Sequence, residues 1–290
     1  MRRLAKPMLF FAALVWGASF MFMKDVGEHI PTFFLLAIRF TAGTVLLGLF
    51  CWKRWKSCTW DCVWRGSLMG LVLFTAFTVQ TFGLMGTTPS KNAFLTTVYC
   101  VVVPFLNWAV MKARPDRYNL LAAVLCVGGV GFVSLQGTLT ITWGDGLTLI
   151  AAFFYAAHII TVEKVSGGKD IYLLTTFQFA SAALLEWIFG FAFQEFPSWS
   201  VFDTGVILQL LYLGVLATTV CLLFQNVGQY WSDPASASII LSLESVFGVM
   251  FSVAFYGDPI TLPLLLGFLL IFVAVICSET KFSFLRRTKV

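Results

Sequence analysis

Charge is what this chain has least of. Only 11% of its residues are Asp, Glu, Lys or Arg, whereas a soluble domain carries about a quarter. With 59% hydrophobic residues and a mean hydropathy of +0.88, that scarcity excludes a water-soluble globule. Histidine is nearly missing too, at two residues in 290, so no imidazole cluster for a metal is available. The seven cysteines are an odd number spread over Cys51, Cys58, Cys62, Cys100, Cys126, Cys221 and Cys277, mostly within apolar runs, and imply no disulfide framework. Cys58 and Cys62 lie close together but lack the His or further Cys that would complete a zinc set. The sequence has no P-loop, no H-E-x-x-H, no G-x-S-x-G and no pair of intramembrane Asp residues, which argues against ATP hydrolysis and against an intramembrane enzyme. No catalytic residue, metal or cofactor is expected.

What remains is apolar length. Lipid offers no partner to backbone N–H and C=O groups, so spans must be helices or a closed barrel, and runs of about 20 apolar residues fit helices. Ten can be drawn: Met8 to Met23, Thr32 to Trp52, Gly66 to Met85, Asn92 to Met111, Asn119 to Gln136, Gly146 to Val162, Ile171 to Phe193, Thr204 to Gly228, Ala235 to Tyr256 and Leu262 to Ser278. The first is too long for a signal-peptide core and is read as a retained span. The predicted fold is an all-α integral membrane bundle with short loops and no separate soluble domain.

Basic residues orient it. With the N-terminus placed in the cytoplasm, sixteen Lys and Arg fall on that side, including Arg54, Lys56, Arg65, Lys112, Lys169 and the terminal Lys281, Arg286, Arg287 and Lys289, against Lys24 and Lys91 on the other. Loop acids divide evenly. Such a bias marks the cytoplasmic face, so both termini are expected inside, and the net charge of +5 is a topology signal that requires no nucleic-acid partner.

The sequence also repeats. Gln80-Thr-Phe-Gly83, Pro89 and an apolar run with Tyr99 return as Gln225-Asn-Val-Gly228, Pro234 and a run with Glu244 at an offset of 145. Leu14-Val-Trp16-Gly-Ala-Ser19 matches Phe153-Phe-Tyr155-Ala-Ala-His158, and Ile38-Arg39-Phe40 matches Phe177-Gln178-Phe179, at an offset of 139. Two halves, 1–140 and 141–290, of five spans each must insert in opposite orientations. Inverted repeats of this kind are typical of secondary transporters that open alternately to either side; a channel or receptor explains the pattern less well.

Four ionisable groups fall within spans: Arg39, His158, Glu186 and Glu244. A charge at mid-bilayer costs at least about 2.5–3.5 kcal/mol on insertion scales, so each should face the bundle interior or a wet cavity. Glu244, between Ser242 and Ser245, is read as a substrate or proton-coupling carboxyl, or else as a carboxyl that pins helices together. Arg39 would hold a substrate carboxylate or form an internal salt bridge with Glu244 or Glu186. His158 would line the cavity or pack as a hydrogen-bonded core residue, and Glu186 would line the external vestibule. Gln80, Gln225 and Asn226 are cavity amides or interhelical hydrogen-bonding groups. Trp16 and Tyr99, with Tyr155 and Trp108 behind them, would supply flat walls. Pro104 predicts a kink in span four.

These residues resemble a known family. Trp16-Gly-Ala-Ser19, Asn92-Ala-Phe-Leu-Thr-Thr-Val-Tyr99 running to Val103-Pro104, and Ser242-Leu-Glu244-Ser-Val-Phe247 followed by Gly257-Asp258-Pro-Ile-Thr261 are similar to EamA-type proteins of the drug/metabolite transporter superfamily. The resemblance implies a basket of helices around a central cavity, spans five and ten at the periphery, and export of metabolites, often amino acids, across the bacterial inner membrane. Three departures stand out: Ser245 replaces a proline common after the Glu of span nine, Ala113 replaces a common acid after span four, and Asp258 replaces a Glu. The expected cavity set is Trp16, Ser19, Arg39, Gln80, Tyr99, His158, Gln225 and Glu244. The expected partners are a small-molecule substrate and the lipid bilayer, and a monomer suffices.

Overall fold

The computed structural model describes residues 2–134, 142–256 and 262–280. Every regular element among them is helical. In chain order the helices are α1 (Ala5–His29), α2 (Thr32–Phe50), α3 (Trp60–Met85), α4 (Pro89–Thr96), α5 (Tyr99–Met111), α6 (Arg117–Ser134), α7 (Trp143–Ser166), α8 (Ile171–Phe193), α9 (Thr204–Leu211), a π-helical segment (Tyr212–Val220), α10 (Cys221–Tyr230), α11 (Pro234–Leu241), α12 (Leu243–Tyr256) and α13 (Leu262–Thr280).

Eight of the expected spans are long and apolar enough to cross a membrane: α1, α2, α3, α4 with α5, α7, α8, α9 through α10, and α11 with α12. Spans five and ten are helical but carry shorter apolar stretches, Arg117–Gly129 and Leu265–Ala274. α6 and α13 pack chiefly on each other. The expected turn at Gly257–Asp258 and the basic residues from Lys281 onward lie outside the described residues.

Three spans are broken, and local chemistry explains where. α4 stops at Thr96 and α5 opens at Tyr99, with Pro104 further on inside α5, so span four is interrupted ahead of the proline. Thr96 and Thr97 bond back to the carbonyls of Asn92 and Phe94 at 2.8 and 2.7 Å, and the backbone tightens to i−3 bonds at Thr97 and Val98. Hydroxyls that take up helix carbonyls in this way bend the helix. The same device breaks span nine. Ser238, Ser242 and Ser245 bond the carbonyls of Ala235, Ile239 and Ser242 at 2.7–2.8 Å, and α12 restarts one residue after Ser242. A proline is not needed there. The third interruption is the π segment, where Thr219 bonds the Gly214 carbonyl at 2.7 Å.

Close packing relies on small residues. Gly66 and Gly70 of α3 lie on α8, Gly83 lies on Gly144 and Thr148 of α7, and Gly17 of α1 meets Phe247 and Gly248 of α12. Polar staples then fix the two ends. At one face, rich in basic side chains, Asp61 pairs with Arg65 at 2.8 Å and Lys169 at 2.5 Å, Arg65 also bonds the Val165 carbonyl, and Arg54 meets Asp170 at 2.6 Å. At the opposite face Lys24 donates to the carbonyls of Leu84, Met85 and Thr87 at 2.9–3.3 Å, capping the end of α3. Asp145 completes a capping box with Thr142 and accepts from Thr87 at 2.6 Å.

Packing at Gly66 sets a test. A Cβ there would stand 2.6 Å from the Phe177 Cβ and 2.7 Å from the Leu174 carbonyl, so Gly66→Ala should cost about 1–3 kcal/mol and lower the melting temperature in detergent by several degrees. Gly131→Ala, with nothing within 4 Å, should leave it unchanged or raise it.

Candidate functional site

Between the broken spans lies a cavity of about 40 Å³, bounded by Trp16, Ser19, Phe20, Met23, Arg39, Phe77, Gln80, Thr96, Tyr99, Tyr155, Ile159, Gln225, Leu241 and Glu244. That is room for a few water molecules, so a metabolite requires the helices to part. Seven of the eight sequence-predicted residues meet here: Trp16, Ser19, Arg39, Gln80, Tyr99, Gln225 and Glu244.

His158 does not. It is fully buried, with its imidazole set against the Gln178 amide of α8. Tyr155 and Ile159 of the same helix bound the cavity instead, while His158, on the neighbouring edge of that face, packs toward Gln178 of α8. Glu186, expected in an external vestibule, is also fully buried; Thr78 donates to its Oε1 at 2.8 Å. Trp108 is exposed on the outside of the bundle.

Each cavity side chain has a local reason for its place. The π segment is central, because its widened turn redirects groups that a regular helix would keep to itself. The Ala217 carbonyl there accepts from the Trp16 indole at 2.7 Å, the Thr218 hydroxyl accepts from Arg39 Nε at 3.0 Å, and Tyr212 donates back to the Val15 carbonyl at 2.8 Å. Arg39 is only 1% exposed, leans on Met23 through Nη1, and lies 5.4 Å from the centroid of the Phe77 ring. Among the described residues no ion pair joins it to Glu244 or Glu186. Its direct partners are therefore neutral groups, and Glu186 acts on it only at longer range.

Glu244 follows the break at Ser242, and the Tyr99 hydroxyl lies against its carboxyl. The two amides differ. Gln80 is fully engaged, taking the Tyr155 hydroxyl at 2.6 Å and donating to Thr96 at 2.9 Å. Gln225 makes no side-chain hydrogen bond among the described residues and opens onto the cavity. Sequence reasoning missed Phe20, Met23, Phe77, Thr96, Ile159 and Leu241, for which no chemical signal exists; helix rotation alone brings them to the wall. It also missed Asn92, fully buried and bonded to Thr148 at 2.7 Å and to the Gln80 carbonyl at 3.3 Å, which locks α4 to α3 and α7 beneath the cavity. No group of three or more His, Cys, Asp or Glu that could hold a metal occurs among the described residues.

Comparison with known proteins agrees with the architecture. The model of the EamA-like transporter family matches twice, over residues 4–135 and 142–280. An uncharacterized transporter of Archaeoglobus fulgidus is 31% identical over 93% of this chain and 83% of its own length. The uncharacterized transporter YoaV of Bacillus subtilis is 23% identical over 93% and 94%. A crystal structure of a protein with 14% identity superposes with a TM-score of 0.79 over 100% of both chains, a likeness of fold.

The two amides generate the prediction for this site. Gln80→Leu strands the Tyr155 hydroxyl and should lower stability by about 1–3 kcal/mol, read as a several-degree fall in melting temperature. Gln225→Leu should change the melting temperature little.

Proposed function

We propose, from the premise that this chain belongs to the EamA-like transporter family, that it is a secondary transporter of small zwitterionic, partly apolar metabolites, with amino acids as the leading class. The observation that carries this reading is the charge arrangement of the cavity: one buried guanidinium and one carboxyl, unpaired with each other, set in a wall of Trp16, Phe20, Phe77, Tyr99 and Tyr155. Arg39 matches a substrate carboxylate and can grip it through two N–H groups. Glu244 matches an ammonium group, and the aromatic wall suits an apolar side chain. Each of the two groups gains a counter-charge of its own when a zwitterion or two opposite ions sit between them.

Alternating access in a five-plus-five inverted repeat is the mechanism we infer. Its support is positional. The helix breaks at Thr97 and Ser242 are 145 positions apart (242 minus 97), the offset of the sequence repeat. Five cavity pairs obey the two offsets: Trp16 with Tyr155, Phe20 with Ile159, Gln80 with Gln225, Thr96 with Leu241 and Tyr99 with Glu244. Helix neighbours interchange in the same way, since α1 packs on α12 as α7 packs on α4 and α5, and α3 packs on α7 as α10 packs on α1. The lysine and arginine bias supports cytoplasmic termini in a bacterial inner membrane. Export is the direction suggested by the resemblance, driven by the substrate's own gradient or by proton exchange at Glu244.

Uptake and counterflow of a panel of labelled amino acids in proteoliposomes test the reading. Glu244→Gln and Arg39→Gln should each reduce transport of the preferred substrate at least about tenfold, equivalent to about 1.4 kcal/mol. Transport by Glu244→Gln equal to wild type at every pH would make Glu244 structural. A folded wild type that moves no member of the panel would remove the amino-acid assignment.

A further inference from the structure

The cavity is lopsided. Beyond its five repeat-related pairs it extends only along first-half residues: Ser19, Met23, Arg39 and Phe77. The offsets of 139 and 145 relate these to His158, Val162, Gln178 and Leu222, and none of those four bounds the cavity. All are buried, at 0–1% exposure. Position within the helices separates the two sets. Ser19 and Met23 lie beyond Trp16 toward the face of Lys24, while His158 and Val162 lie beyond Tyr155 toward the basic face. Arg39 is seven residues from the start of α2, and Gln178 is seven residues from the start of α8, which begin at opposite faces.

The buried set is polar and poorly satisfied. Asn226 of α10 donates to Thr175 at 2.9 Å and to Gln178 Oε1 at 2.7 Å. Yet Oδ1 of Asn226 and both amide atoms of Gln229 one turn further on have no partner, and the His158 imidazole has only the Gln178 amide against it. Buried polar groups are almost always hydrogen-bonded, and orphans call for an explanation. Among the described residues, Thr81, Asn92 and Glu186 carry such atoms elsewhere, while those of Asn226 and Gln229 lie together on α10, on the basic side of the cavity. A sealed core would be more stable with apolar groups at these places, whereas a surface that is wet in another conformation needs polar ones.

We propose that His158, Gln178 and Asn226 form a second substrate subsite facing the basic side, closed in this form, that opens as the Arg39 side closes. It rests on the zwitterion reading above for its ligand: the carboxylate held by Arg39 on one side meets the Gln178 amide N–H and the His158 imidazole on the other. The two openings are then alike in shape and unlike in charge. The Asp61 staple to Arg65 and Lys169 closes the route to this subsite from the basic face.

Site-resolved labelling tests this without knowledge of the substrate. Gln178→Cys and, separately, His158→Cys are treated in inside-out vesicles with a membrane-impermeant cationic methanethiosulfonate, and modification at each position is followed by peptide mass spectrometry. Lys169→Cys on the surface is the positive control, and Arg39→Cys, treated in right-side-out vesicles, is the reciprocal probe. Both buried positions should be modified slowly in the otherwise native chain and at least about tenfold faster when Asp61→Asn is added, as expected for a population shift; Arg39→Cys should become slower. No modification at 158 or 178 in either background, with Lys169→Cys fully modified, overturns the proposal. So does modification of 39, 158 and 178 from the same side at rates that Asp61→Asn leaves unchanged, which describes a continuous pore. Failure of the amino-acid panel in the transport assay leaves this accessibility pattern intact, so the two readings fail separately.

Discussion

A guanidinium inside an apolar bundle has to be held by something, and what holds Arg39 organises the rest of this structure. Its anchors come from three other spans: Thr218 on the π segment, Met23 on α1 and the face of Phe77 on α3. None is charged. A buried ion pair would have offset more of the desolvation cost but would have consumed the positive charge. Neutral anchoring leaves it without an ion pair and ties four helices to one point. Glu186 stands behind this point, bonded by Thr78, the neighbour of Phe77 in sequence. Trp187, next to Glu186, donates to Thr41 of α2 at 2.9 Å. The positions of the arginine and of the carboxyl behind it are therefore fixed by adjacent residues on the same two helices.

Much of the fold was legible because it is written in averages. Hydropathy over twenty residues marks a span whatever its rotation, and basic residues mark a face whatever their contacts. The repeat was legible too, since Gln80 and Gln225, Pro89 and Pro234, and Thr88 and Asp233 as helix caps keep their spacing. Rotational detail was not. His158 and Tyr155 are three residues apart, and which of them meets the cavity depends on how α7 is turned against α3 and α10. Nor was the π segment: nothing in Tyr212 to Val220 except a glycine sets it apart from a regular helix, and it forms because Trp16 and Arg39 draw on Ala217 and Thr218. The exact point at which span four breaks was hidden for a related reason. A proline within a helix signals a lost bond, but hydroxyls at Thr96 and Thr97 compete for carbonyls earlier in the same span and decide where it breaks.

The breaks place Tyr99 and Glu244 where two halves of the chain meet, with the phenol against the carboxyl. On the proposed inverted repeat, residues in contact with their own counterparts lie next to the axis that relates them, so a substitution there changes both sides of the cavity at once. Elsewhere a change in one half leaves its counterpart untouched. The difference between Arg39 and Gln178 is of that second kind.

One contact has a mechanical meaning. Gly17 and Gly248 bring the backbones of α1 and α12 so close that a Cβ on Gly17 would stand 2.7 Å from the Gly248 nitrogen. The one side chain that enters is Phe247, whose ring meets the edge of Phe10 with centroids 5.4 Å apart. Interdigitated helices slide only by forcing rotamers over barriers, layer by layer, whereas a glycine seam presents few such layers. Along the α1–α12 seam the glycine pair is thus the smooth stretch, and the Phe10–Phe247 contact is the catch beside it.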